Sequence, residues 1–210
     1  MPRRTRTLDP AYFDALYASD PDPWKFASSA YERNKYAVTL AALPKPRYAR
    51  ALEIGCSIGA LTRELAGRCD AILGVDVAQA PLTEARWRCA DLPNVRLEQM
   101  FVPEQWPDGA FDLVALSEVV YYFQAEDVTR LASRVARSLT PGGNVILVHW
   151  TGETDYPLTG EQAANLFIAA MGKTVRVHRT EWHYHFRLDV LALARAPFRS
   201  RARARRAPEI

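Results

Sequence analysis

The sequence predicts an α/β fold, a mostly parallel sheet with helices on both faces, and three observations carry that prediction. From residue 50 onward, short apolar runs alternate with stretches of helical periodicity, which is the βαβ repetition of a parallel sheet. The last two strand-like runs are joined by too few residues for a crossover helix, so they close the sheet as an antiparallel pair. The chain has 210 residues, 49% of them hydrophobic, which suffices for one domain with a sizeable core.

Ahead of the alternation, Tyr12, Phe13 and Leu16 form one apolar-periodic segment, and Tyr36, Leu40 and Leu43 form another at i, i+4, i+7. Both read as helices, separated by the Pro-rich "SDPDPW", and "LPKPRYAR" ends the second. Then come strand "ALEI", a helix over 60–69, strand "AILGVD", a helix over 79–90, a short strand "NVRLE" and strand "FDLVALS". Val128, Leu131, Ala132, Val135, Ala136 and Leu139 recur at helical spacing. Pro141-Gly142-Gly143 reads as a turn, followed by strand "NVILVHW" and a helix near 159–171. "KTVRVHRT" and "HYHFRLDVLALA" complete seven strands, with a hairpin at the sheet edge.

The formal net charge of +3 hides an uneven distribution. Six arginines in residues 195–210 and three in residues 1–7 supply more than the whole excess, so the body is net acidic. A run such as "RAPFRSRARARRAPEI" could meet nucleic acid, but with no aromatic interleaving beyond Phe198 a solvated, disordered tail is the expectation. No stretch approaches the roughly 20 apolar residues of a membrane span, and nothing resembles a signal peptide, which places the chain in the cytosol. Cys56, Cys69 and Cys89 match no disulfide framework or zinc set and read as core residues of a reducing compartment. His178, His183 and His185 lack ligand spacing, so no metal is expected.

"LEIGCSIGALTREL" (52–65) admits two chemistries. Gly55-Cys56-Ser57-Ile58-Gly59 satisfies G-x-S-x-G, the elbow that presents a hydrolase serine. The same residues place an acid, Glu53, at a strand end, with Gly55 and Gly59 allowing close backbone approach and a helix N-terminus following. Asp76 ends the next strand about twenty residues on, where a carboxylate accepts hydrogen bonds from ribose hydroxyls. A hydrolase would need an oxyanion donor from a loop after an earlier strand, and none precedes residue 50. Asp155 with His183 or His185 keeps the order serine, acid, histidine, so the hydrolase stays as an alternative. A nicotinamide dinucleotide fits poorly, because its fingerprint needs glycine at position 57.

"ALEIGCSIGALTREL", "GVDVA", "FDLVALSEVVYYF" and "LTPGG" resemble the successive motifs of class I S-adenosylmethionine-dependent methyltransferases over about residues 50–150. "DPWKFASSAYERNKY", "SEVVYY" and "HWTGETDYPLTG" are similar, more narrowly, to the nodulation protein S (NodS) group, N-methyltransferases of a deacetylated chitooligosaccharide amine. That resemblance implies a Rossmann-like, doubly wound seven-stranded sheet over 50–194, an N-terminal helical lid over 1–49, and S-adenosylmethionine as cofactor with S-adenosylhomocysteine as product. It also implies a small-molecule acceptor, an aminosugar or oligosaccharide. Trp24 and Arg33 in the lid, Glu53, Gly55, Cys56, Ser57 and Gly59 in the glycine turn, and Asp76, Val77 and Ser117 at strand ends become the cofactor contacts. Met100, Phe101 and Val102 stand where the family often has an aspartate, which implies that adenine is held by packing and backbone hydrogen bonds.

Transfer to an amine requires an uncharged nitrogen, so a proton acceptor within hydrogen-bond reach is sought. Glu118, just past the fourth strand, and His149, ending the fifth on the same rim, are the candidate catalytic residues; the resemblance also permits Glu118 to contact the cofactor or the acceptor amine without taking a proton, and a structural hydrogen bond is a further alternative. Tyr121, Tyr122, Trp150 and Tyr156 are candidates for an aromatic wall on the acceptor, and Asp155 for binding its hydroxyls. The alternatives are an O-methyltransferase, the serine hydrolase, a non-catalytic cofactor-binding regulator, and a nucleic-acid methyltransferase using the arginine tail.

Overall fold

A computed structural model describes residues 3–194, so the expected tail over 195–210 lies outside the described residues. Helices α1 (Pro10–Ser19) and α2 (Ala30–Ala42) come first. The alternating section follows as β1 (Tyr48–Ile54), α3 (Ala60–Ala66), β2 (Cys69–Asp76), α4 (Gln79–Arg88), β3 (Val95–Gln99) and β4 (Phe111–Ser117). A 3-10 turn at Val120–Tyr122 leads into α5 (Ala125–Ser138), β5 (Leu139–Trp150), α6 (Gly160–Met171), β6 (Val175–Trp182) and β7 (Phe186–Leu193).

The strands form one seven-stranded sheet in the order β3-β2-β1-β4-β5-β7-β6. The first five are parallel, and β7 pairs antiparallel with both β5 and β6. Strand order therefore reverses between β1 and β4, which opens a crevice beyond their carboxyl ends. Glu53 and Ala115 are paired in register there, so the residues that follow, 55–59 and 117–119, face each other across that crevice.

Local chemistry explains the helix boundaries. Asp9 caps α1 by accepting the Tyr12 N–H, and Pro10 occupies the first turn, where its missing N–H costs nothing. Thr159 and Gln162 form a reciprocal capping box at the start of α6. The stripe expected on α5 is the buried one: Val128, Leu131, Ala132 and Val135 are inaccessible to solvent. Helices α3 and α4 end three and two residues earlier than periodicity suggests, because β2 begins at Cys69 and Cys89 caps α4.

One expectation is corrected. Pro141-Gly142-Gly143 is not a turn between elements but part of β5, whose ladder jumps from the Phe111–Leu139 pair to the Leu113–Asn144 pair. The extra residues bulge out, and Gly142, at φ +76°, takes the left-handed conformation that the bulge requires.

Gly59 shows how the glycine turn is fixed by packing. It begins α3 at φ +75°, and a Cβ there would lie 2.9 Å from the Ala85 Cβ and 3.1 Å from its Cα on α4. Gly59→Ala is expected to lower unfolding stability by at least about 2 kcal/mol, since left-handed backbone alone costs an alanine roughly 1–2 kcal/mol and the contact with α4 adds to it. Urea denaturation of the variant would measure this, and an unchanged midpoint would show that the two helices simply part.

Candidate functional site

Three cavities meet over the crevice. Counting the open solvent at each mouth, the first has about 680 Å³ of empty space. Gly55, Ser57, Asp76, Val77, Met100, Phe101, Val102 and Ser117 line its sheet side, and Trp24 closes it from the N-terminal section with Phe13, Tyr17 and Phe26. A second cavity, about 300 Å³, lies behind the glycine turn against Glu32, Tyr36, Glu53 and Cys56. The third, about 760 Å³, has an aromatic wall of Tyr121, Tyr122, Trp150 and Tyr156, faced by Tyr31 and Lys35 of α2. Glu118 borders all three.

Ser57 has a definite role in this geometry. Its N–H donates to Asp76 at 2.8 Å, and its hydroxyl shares a 2.5 Å hydrogen bond with the Tyr17 hydroxyl of α1. It adopts φ +50°, a conformation that L residues rarely hold without compensation. No histidine is among its hydrogen-bond partners, and His183 instead bonds Glu181 on the C-terminal hairpin. The triad of the hydrolase alternative is therefore not assembled, because its histidine sits on a different edge of the sheet.

Asp76 is buried and accepts the N–H groups of Ser57 and, at 3.0 Å, Ala78. Burial pushes its carboxyl up to about 6, with those backbone hydrogen bonds limiting the rise. Glu53 is buried without comparable help, and one of its oxygens has no hydrogen-bond partner. Desolvation raises its carboxyl to about 8. A buried acid short of partners on a cavity wall suits a cationic or N–H-bearing group.

Glu118 follows β4 at φ +57° and is a side-chain hub. Its carboxylate receives the Lys35 ammonium at 2.6 Å, the Tyr121 hydroxyl at 2.8 Å and the Trp150 N–H at 2.8 Å. Burial alone would raise its carboxyl, but the Lys35 charge and hydrogen bond, with His149 and the Trp150 N–H, hold it below the usual range. Lys35 also contacts Glu32 at 2.9 Å.

Four expected residues stand elsewhere. His149 is fully buried under the 3-10 turn, where its Nε2 accepts the Val120 N–H at 3.2 Å. Burial drives it down to about 4, so it is a neutral structural acceptor that borders none of the three cavities. Arg33 is exposed and donates to the Ser28 carbonyl, because Glu32, Lys35, Tyr36 and Thr39 form the inward stripe of α2 and Arg33 falls outside it. Asp155 pairs with Arg4 at 3.3 Å and lies outside the third cavity. Gly59 caps α3 without lining a cavity.

Lys35, Glu32 and Tyr17 escaped the sequence reading. Their signal was present in part: charged residues at 32 and 35 share a helical stripe with Tyr36 and Thr39, a pattern that buries an ion pair only if something opposite completes it. Among the described residues no group of three or more His, Cys, Asp or Glu could hold a metal, and no helix is long and apolar enough to cross a membrane. Cys56, Cys69 and Cys89 are free and buried.

Comparison with known proteins adds the family. Nodulation protein S of Rhizobium tropici is 31% identical over 127 residues, 60% of this chain and 53% of the relative. The trans-aconitate 2-methyltransferase of Deinococcus radiodurans is 33% identical over 129 residues, 59% of this chain and 46% of the relative. The chain spans about half the length of the curated relatives it matches. A solved structure of a candidate methyltransferase from Pseudomonas syringae superposes with a TM-score of 0.69 at 35% identity, covering 78% of this chain and 99% of that one. The N-methyltransferase NodS of Bradyrhizobium japonicum WM9, crystallised with S-adenosyl-L-homocysteine, shares the fold with a TM-score of 0.76 at 19% identity, covering 87% of this chain and 97% of that one. The family model for nodulation protein S (NodS) matches residues 15–148, most of the chain, and on that match the protein belongs to the NodS family.

Proposed function

We propose that this protein is an S-adenosylmethionine-dependent methyltransferase acting on the amine of a small acceptor, an aminosugar or deacetylated chitooligosaccharide. The observation that carries the reading is the joining, through Glu118, of a cavity at the strand-order reversal, lined by the glycine turn and Asp76, to a second cavity walled by aromatic rings. The cofactor fits the residues present. The orphaned Glu53 carboxylate suits the α-ammonium of the methionine portion, Asp76 suits ribose hydroxyls, and Met100, Phe101 and Val102 offer an apolar bed for adenine. When bound, S-adenosylmethionine would supply a methyl group carried on a cationic sulfur.

The chain's own residues do the positioning. Residues 1–49 serve as a lid: Phe13, Tyr17, Trp24 and Phe26 cover the first cavity, and the Tyr17–Ser57 hydrogen bond fastens α1 to the glycine turn. Excluding water there strengthens the electrostatics between the acidic groups and a cationic ligand. Tyr121, Tyr156 and Trp150 offer flat faces to a ring-shaped acceptor, with Tyr121 and Tyr156 already stacked at 5.2 Å.

The test is a transfer screen read by mass spectrometry, with deacetylated chitooligosaccharides, aminosugars and simple phenols as competing acceptors. Gain of one methyl mass on an amine acceptor supports the reading. Labelling of phenols alone would make the enzyme an O-methyltransferase, and tight cofactor binding with no labelled acceptor would make it a regulator.

A further inference from the structure

The least expected group in this region is the ammonium of Lys35. Its side chain is only 2% exposed, and it bridges the carboxylates of Glu32 and Glu118, whose side chains are 7% and 9% exposed. It also lies 5.3 Å from the centre of the Tyr31 ring. Isolated lysines are rarely buried, because desolvating an ammonium is expensive unless partners hold it. Two carboxylates and an aromatic face are such partners.

What the lysine does to Glu118 follows from counting lone pairs. A carboxylate offers about four acceptor sites, two on each oxygen. The Tyr121 hydroxyl and the Trp150 N–H both donate to Oε2, which fills that oxygen. Lys35 donates to Oε1 and leaves it one free site. All three neighbours donate to it, so its hydrogen bonds favour the charged form. The other groups facing it are Glu32, Tyr31 and Tyr36 from α2, Tyr122 from the 3-10 turn and His149 from β5. Of these only Glu32 opposes its charge, and Lys35 sits between the two acids.

We propose that Lys35 is the positioning residue of the acceptor site: it keeps Glu118 charged and aims its one free lone pair at the acceptor, so that Glu118 receives a hydrogen bond from the acceptor N–H and does not take its proton. This inference rests on the methyltransferase reading. A neutral amine that donates N–H to Glu118 holds its own lone pair away from the carboxylate, and the proton it must shed leaves to solvent. Glu118 then orients the acceptor, which selects between the two roles the sequence left open for it, and Lys35 is what decides between them.

The experiment is a pH titration of the glutamate side-chain carboxyl resonances in protein labelled with ¹³C-glutamate, using Glu118→Gln to assign the signal. In the native protein Glu118 is expected to titrate below the ordinary glutamate value, because Lys35 holds its charged form. In Lys35→Met its midpoint should rise by roughly two pH units, a hundredfold gain in proton affinity, as expected on losing an adjacent opposite charge. Lys35→Arg should restore the native midpoint by preserving the charge. A native Glu118 midpoint at or above the ordinary glutamate value, or an unmoved midpoint in Lys35→Met, overturns the proposal. Should Lys35→Met fail to fold, the native titration decides by itself. Since the titration needs neither cofactor nor acceptor, its failure is distinguishable from failure of the transfer screen.

Discussion

Glu53→Gln is expected to stabilise the cofactor-free protein at pH 8 while weakening its hold on cofactor. In the native fold the Glu53 carboxyl is raised to about 8 because it is buried without full compensation. The folded state therefore binds more protons than the unfolded state between about pH 4.5 and pH 8, and stability falls as pH rises through that window. Below about pH 4.5 both states are protonated and the Glu53 contribution is fully present. Gln cannot ionise, so the variant should gain roughly 2 kcal/mol at pH 8 after allowing for its own imperfectly bonded amide, and little or nothing at pH 4. Urea unfolding at the two pH values measures the difference. On the binding side, an ammonium arriving beside Glu53 should expel its proton. Calorimetry of S-adenosylhomocysteine binding at pH 7, in buffers of different protonation enthalpy, should show up to about one proton released by the native protein and none by Glu53→Gln. Equal proton release by both would move the ammonium site elsewhere.

Asp76→Ala should lower affinity for S-adenosylhomocysteine by roughly 1–3 kcal/mol, about ten- to a hundredfold. Two effects combine. A charged acceptor at the end of β2 disappears, and the N–H groups of Ser57 and Ala78 lose the carboxylate that shapes the glycine turn. Ser57 depends on that support because its φ of +50° is unfavourable for a serine. Titration calorimetry checks the prediction, and unchanged affinity would mean that Asp76 is only a brace for the turn.

Burial of an acid is thus used in opposite ways at two neighbouring positions. Glu53 is left short of partners, which suits a ligand that brings a positive charge. Glu118 is given three donors, which removes its appetite for a proton and leaves it free to orient. Both acids stand at the carboxyl ends of adjacent parallel strands, β1 and β4, so their different behaviour comes from the groups that tertiary packing brings to each. Lys35 reaches Glu118 from α2, with Tyr121 and Trp150 from the far rim, whereas among the described residues no cation is hydrogen-bonded to Glu53.

The sequence by itself determined the alternation of strands and helices, the antiparallel ending and the glycine turn with its two flanking acids. These are local properties: apolar periodicity, turn chemistry and short spacing act within a few residues, and a parallel sheet built from such units has its ligand crevice in a known place. It also placed Tyr121, Tyr122, Trp150 and Tyr156 together, since they follow strands that end on one rim. Only the tertiary structure decided which polar residues face inward. Arg33 and Lys35 are two positions apart on one helix, and the rotation of α2 against the sheet, set by its whole packing stripe, sends one to solvent and the other to Glu118. His149 and Trp150 are consecutive on β5, and the two-residue period of a strand puts one beneath the 3-10 turn and the other on the third cavity. A side chain's charge and reach are written in its own residue, but its protonation and its partner are set by groups far along the chain, 83 residues apart for Lys35 and Glu118.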